Sequence, residues 1–331
     1  MRRRLLLATT LPVLLATACS GGGQPATRTP APSATPPHVV ASTPAPAAPR
    51  HLVVHTERWR LPYAVAREAV APVGSGRYVV AGGLVGGDSS TDRTLLVDPA
   101  RGRVTAEASL PVPVHDTAGL AVRGHALVVG GGNASEQATV QARGSHGWSV
   151  AGHLPQPRSD LTAALVGDQA LVIGGYDGSS TAVPAILASR DARHWHRVGT
   201  LPLPVRYAAG AVVGQSVWLF GGERAGAEQR TVQEIGPGGH ARVVARLPRA
   251  LGHASAVPLG GRILLVGGRT GPDSVTDRMW WFDPATRRFE PAGRLPRPLA
   301  DSAVIADGNT AWLVGGESPS VTDRVVRLGL H

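Results

Sequence analysis

The 331 residues carry a formal charge of +10, with 43% hydrophobic and only 17% charged residues, 42 glycines, 28 prolines and a single cysteine. So much glycine and proline argues against long helices and for many short strands joined by tight turns. The basic residues are all arginine and lie scattered among acidic ones, which argues against a nucleic-acid groove, and one cysteine allows neither an internal disulfide nor a Cys-based metal site.

The chain opens with Arg2, Arg3 and Arg4, then an apolar stretch from Leu5 to Ala18 that includes Pro12. This stretch is short for a bilayer span and reads as a removable signal over residues 1–18. Leu15-Ala16-Thr17-Ala18-Cys19 resembles the lipobox of bacterial lipoproteins, with a small residue before the cysteine and Ala16 where the commonest pattern has Leu. The resemblance implies lipidation of Cys19 and attachment to the extracytoplasmic face of the cell membrane. Loss of the three leading arginines lowers the formal charge to +7. Residues 19–50 are rich in Pro, Ala, Ser and Thr, a composition that buries little. They read as a disordered tether reaching roughly 30 to 90 Å, depending on stiffness.

From residue 51 onward the sequence repeats. Two or three apolar residues followed by a glycine doublet recur at Gly82, Gly130, Gly174, Gly221, Gly267 and Gly315, at spacings of 48, 44, 47, 46 and 48. A Leu-Pro pair keeps the same beat at Leu61, Leu110, Leu154, Leu201, Leu247 and Leu295, 20 residues before each doublet and 21 in the first unit. Such a period is that of propeller blades.

Each unit divides into four strands. In the third they are expected at Leu161–Val166, Ala170–Ile173, Ala182–Ser189 and His196–Gly199, with turns at Gly167-Asp168 and around Asp191. Asp98-Pro99 and Asp283-Pro284 occupy the corresponding third turns of two other units. First strands are poor in bulk, as at Ala163 and Ala164 or Ala208–Ala211, and suit the crowded axis of a ring. Trp148, Trp195 and Phe289 fall on outer strands.

The apolar run ending in a glycine doublet, the Asp-Pro turn and an aromatic six residues before Leu-Pro resemble the kelch family across residues 52–330; Val104, Ala241 and His55 replace the aromatic in three units. The expected fold is therefore all-β: a six-bladed kelch-type β-propeller at 51–331 with four-stranded antiparallel blades. No Leu-Pro follows the last doublet, so Leu52–Arg60 should supply the missing outer strand of the sixth blade and close the ring. Closure leaves no free edges, and a monomer is expected.

Strand direction alternates within a blade, so the start of each first strand and the loop after each doublet share one end. Six residues after each Leu of Leu-Pro stand Arg67, Asp116, Asp160, Tyr207, His253 and Asp301. These polar groups should gather at one mouth of the axial channel, where they could hydrogen-bond a ligand, and where three carboxylates could also hold a hard cation. The competing reading is that such residues satisfy backbone groups at strand starts.

Thr91-Asp92-Arg93, Thr276-Asp277-Arg278 and Thr322-Asp323-Arg324 recur after doublets, either as partner contacts or as structural loop ends. Ser189–Trp195 looks like a shortened sialidase Asp-box, a turn staple. Asn133-Ala134-Ser135 matches a glycosylation sequon.

Galactose oxidase and a sialic-acid mutarotase are kelch-type propellers, so two enzymatic options follow from the resemblance. Copper-radical oxidation needs a Tyr linked to Cys and a Tyr followed by His. Here the sole cysteine is Cys19, and Tyr63, Tyr78, Tyr176 and Tyr207 precede Ala, Val, Asp and Ala. A mutarotase- or epimerase-like activity needs only positioned acid and base groups, which His253 with Asp301 or Asp160 could supply. The favoured expectation is a membrane-tethered binding scaffold for a protein or glycan ligand, without cofactor, resident metal or nucleic-acid partner.

Overall fold

The computed structural model describes residues 51–179 and 181–331. The expected signal (1–18), the lipidation site Cys19 and the tether (19–50) lie outside the described residues.

Six four-stranded antiparallel sheets succeed one another along the chain. In the first blade the strands, from axis to rim, are Ala69–Gly74, Arg77–Ala81, Thr94–Asp98 and Arg103–Ala106. Innermost strands of successive blades lie side by side, and that of the sixth blade, Ala303–Asp307, meets that of the first, so the ring is closed. The architecture is a six-bladed β-propeller.

The outer strand of the sixth blade comes from the other end of the described chain. Leu52–Thr56 pairs antiparallel with Val325–Leu330, with Leu52 opposite Leu330 and Thr56 opposite Val326. The pairing continues beyond the strand, where the His51 and His331 amides donate to each other's carbonyls at 2.8 and 3.0 Å and Leu61 N–H donates to Asp323 C=O at 3.0 Å.

Six apolar clusters hold the blades together, one at each interface. Leu171, Ile173 and Ile186 of the third blade pack with Val217 and Leu219 of the fourth. At the closing seam, Ile305, Trp312 and Val325 of the sixth pack with Val80, Leu95 and Val97 of the first.

The glycine doublets make these approaches possible. The second glycine of each donates its N–H to a carbonyl of the next blade, as Gly131 to Arg158 at 2.8 Å, Gly222 to Leu251 at 2.8 Å and Gly316 to Val65 at 2.8 Å. The first glycine lies so close to that same carbonyl that a Cβ on Gly82 or Gly174 would sit 2.6 or 2.7 Å from it. Both glycines adopt positive φ, so the doublet meets a steric and a conformational demand together.

Two strands differ from expectation by more than a residue or two: the closing strand, expected over Leu52–Arg60, ends at Thr56, and one strand of the third blade starts late. The third strand of the third blade begins at Ala185 rather than Ala182, because Pro184 has no N–H for the ladder. Its carbonyl instead accepts from Leu201 N–H at 2.8 Å.

Candidate functional site

The six phased polar residues all reach one end of the axial channel, and they share a backbone conformation. Arg67, Asp116, Asp160, Tyr207, His253 and Asp301 have φ between 51° and 61°. For a non-glycine residue the left-handed region costs about 1–2 kcal/mol, with Asp among the better tolerated. A belt of inter-blade hydrogen bonds offsets that cost. Asp160 N–H donates to Asp116 C=O at 2.9 Å, Tyr207 to Asp160 at 3.2 Å, His253 to Tyr207 at 3.0 Å, Asp301 to His253 at 2.9 Å and, across the seam, Arg67 to Asp301 at 3.0 Å. Five of the six steps around the ring are made this way, the step from Asp116 to Arg67 being the one without such a bond, and the side chains are left to face the mouth.

These side chains do not act alone. The residue after each doublet pairs by a bridge with the residue before each belt position, which brings Tyr176, Glu223, Arg269, Glu317, His115 and Arg206 into a second tier. Together the tiers form a chain of alternating charge around the mouth. Arg67 lies 3.4 Å from Asp116 and 3.1 Å from Glu317. Glu317 also pairs with Arg269, which lies 3.5 Å from Asp301. Asp301 Oδ1 is 2.7 Å from His253 Nδ1, and His253 Nε2 is 3.8 Å from Glu223. Glu223 pairs with Arg206 at 2.6 Å, and Arg206 lies 3.7 Å from Asp160. Tyr207 donates its hydroxyl to Asp116 at 3.4 Å and stacks on the His253 ring at 3.9 Å.

The second tier escaped the sequence reading, although its signal was present: Glu223, Arg269 and Glu317 each follow a doublet by one residue. The hard-cation use that the carboxylates could have served is not what the geometry offers. The guanidinium of Arg67 already stands among Asp116, Asp301 and Glu317, and among the described residues no group of three or more His, Cys, Asp or Glu converges to hold a metal.

Burial separates the carboxylates. Asp160, with a side chain only 3% exposed, is pushed up to about 8 by desolvation and by neighbouring Asp116, so it is mainly a neutral acid at neutral pH. Desolvation also raises Asp116. At Asp301 desolvation pushes upward, but the His253 hydrogen bond and the charges of His253, Arg67 and Arg269 outweigh it and hold this carboxylate below its usual range. A carboxylate only accepts hydrogen bonds, so His253 presents Nδ1–H to Asp301.

Inside the belt lies a cavity of about 150 Å³, bounded by Arg67, Asp116, Asp160, Tyr207 and Asp301. The channel's other end is chemically different, a well of about 520 Å³ lined by Val70, Leu165, Val212, Pro258 and Ala306. Hydrogen-bonding groups are thus concentrated at the belt end.

The remaining motifs are structural. In the Thr-Asp-Arg loops the Thr hydroxyl accepts from the Arg N–H at 3.2–3.3 Å, and the Asp carbonyl accepts from the Leu of the neighbouring Leu-Pro. Asp191 accepts from the Arg193 and His194 amides at 2.9 Å, and Trp195 Nε1–H donates to Ala192 C=O, which makes the Asp-box-like segment a turn staple. Asn133 donates to Pro113 C=O and accepts from Gln137.

Residues 250–296 match the Kelch motif family. The matched stretch runs from just before His253 to the Leu295-Pro296 pair, one full turn of the repeat. The fold is a six-bladed β-propeller of four-stranded blades, and its fifth repeat matches the Kelch motif. No curated protein matches the sequence.

Proposed function

We propose that this propeller is a membrane-tethered, extracytoplasmic scaffold that binds a polar ligand, a protein or a glycan, at its belt mouth. The observation that carries the reading is the ring of paired charges contributed by all six blades around one concavity. Ion pairs across blades could serve cohesion alone, but cohesion is already provided by the belt and the six apolar clusters. The second tier stands above them, at the open end.

The chain's entry point is consistent with a tether. His51 pairs with His331, and Leu330 N–H donates to Asn309 C=O at 2.9 Å in the turn between the first two strands of the sixth blade. That turn lies at the end of the sheet opposite Asp301, so the first described residue, His51, stands at the end away from the mouth. Cys19→Ala should release the protein from membranes or leave its signal uncleaved; unchanged processing and membrane retention would overturn the lipoprotein assignment.

Binding is tested by exposing the purified full chain to extracellular proteins and cell-wall glycans and comparing it with Asp160→Ala/His253→Ala. Two buried polar contacts at about 0.5–1.5 kcal/mol each predict a loss of at least several-fold. Undiminished binding by the folded double variant would make the ring structural.

A second reading, a carbohydrate-modifying enzyme of mutarotase or epimerase type, draws on one specific feature. His253, oriented by Asp301, is a ready base, while Asp160, held neutral, is a ready acid. Sugar anomerisation followed by proton NMR checks it; turnover that survives His253→Gln would count against it.

A further inference from the structure

The mouth is not six-fold in shape. Over the seam between the sixth and first blades it opens into a cleft of about 520 Å³, which shares Arg67 with the axial cavity. A hairpin pairing Leu84–Val85 with Ser89–Ser90 forms one wall, and the 317–321 loop forms the other. Val85, Pro319 and Val321 give these walls apolar surface, and Asp88, His115 and Glu317 give them polar groups. His115 is held in place by Ser90 Oγ, 2.8 Å from Nδ1, and by Asp116, 3.4 Å from Nε2.

We infer that the ligand is an uncharged, polyhydroxylated chain, an oligosaccharide, with its terminal unit in the axial cavity beyond Arg67 and its following units in the seam cleft. This rests on the mouth being the ligand site, and adds the ligand's class and path. Three observations converge on it. Arg67, Arg206 and Arg269 are each already paired with carboxylates among Asp116, Asp160, Asp301, Glu223 and Glu317, so none stands ready for an anionic group. An anionic ligand would have to displace a carboxylate from a partly buried ion pair and strand it, which is strongly unfavourable. A hydroxyl can accept from a guanidinium and donate to the neighbouring carboxylate without breaking that pairing.

The shape points the same way. A cavity that admits one small unit, adjoining at Arg67 a cleft of ordinary small-ligand size, suits a linear chain better than a compact molecule. The cleft's mixture of apolar wall and polar rim matches a sugar ring, whose faces carry C–H groups and whose edge carries hydroxyls.

The test uses the full chain, purified in detergent, with immobilised cellohexaose, maltohexaose and chitohexaose, their disaccharides, and an acidic hexagalacturonate. At least one neutral hexaose should bind at least tenfold more tightly than its disaccharide. Val85→Asp should cost that hexaose about tenfold while leaving the disaccharide unchanged; Val85→Ser, with thermal unfolding as a check, covers the case in which the hairpin misfolds. Preference for the acidic hexamer, or no binding of any neutral hexaose, overturns the ligand class. Equal affinity for hexaose and disaccharide, unaffected by either Val85 variant, overturns the path through the cleft. Asp160→Ala/His253→Ala separates the levels: binding that survives it sinks the mouth itself, whereas binding lost with it but kept in Val85→Asp sinks only the cleft.

Discussion

Glu68 stands where the other blades carry Thr117, Leu161, Ala208, Ala254 and Ser302. It is 5% exposed, its carboxyl has no well-formed hydrogen bond and only the backbone amides of Glu68 itself and Ala303 for nearby donors, and desolvation outweighs them and raises it well above the usual carboxylate range. Thr117 shows what suits the position, since its hydroxyl donates to Val129 C=O at 2.9 Å. Glu68→Thr should therefore stabilise the protein, by about 1–3 kcal/mol if the buried carboxyl carries an ordinary desolvation penalty, as urea denaturation would show. Asp160 makes the same point through pH. Its folded value near 8 lies above the unfolded value of about 3.9, so the folded state binds the extra proton. The resulting stability is full below the unfolded value and is lost as pH rises toward 8, with a slope of at most about 1.4 kcal/mol per pH unit. Melting temperatures from pH 5 to 8.5 should fall in the parent and fall less in Asp160→Asn. The belt positions were legible in the sequence because phase alone names them. The values of their carboxylates were not, since these depend on burial and on groups in other blades.

For strands and turns, the repeat was legible because each doublet answers a local demand. Gly174 and Gly167 separate its two parts: both have φ near 60°, but a Cβ on Gly174 would stand 2.7 Å from Val205 C=O, whereas one on Gly167 would meet nothing within 4 Å. Gly167→Ala should cost about 1 kcal/mol for the left-handed backbone, and Gly174→Ala distinctly more because the third and fourth blades must part. Equal costs, measured by denaturant midpoints, would remove the inter-blade explanation of the doublet. The ion-pair chain was less legible for the converse reason. Arg67 and Glu317 are 250 residues apart in sequence and meet only because the ring closes. The strand start falls at Ala185, three residues after the expected Ala182, because Pro184 brings no N–H to the ladder.

Across the whole molecule, closure and the proposed recognition site meet at one seam. Deleting residues 51–60 removes the strand paired with Val325–Leu330 and exposes the sixth blade's edge, so melting temperature should fall markedly. Deleting residues 24–48, outside the described residues, should leave it nearly unchanged; equal melting temperatures would contradict the clasp. The ring so closed carries polar groups at one end and an apolar well at the other, and the account depends on the polar end being more than a fastening. The direct measurement is a set of near-isosteric variants, Asp116→Asn, Asp160→Asn and His253→Asn, read for both melting temperature and affinity toward the tightest-binding neutral hexaose. Asparagine tolerates the left-handed backbone and so keeps the belt while removing the carboxyl and imidazole groups that would meet a ligand. Affinity lost several-fold at a nearly constant melting temperature is the result expected of a recognition surface; a fall in melting temperature with affinity intact would show that the ring only holds the blades.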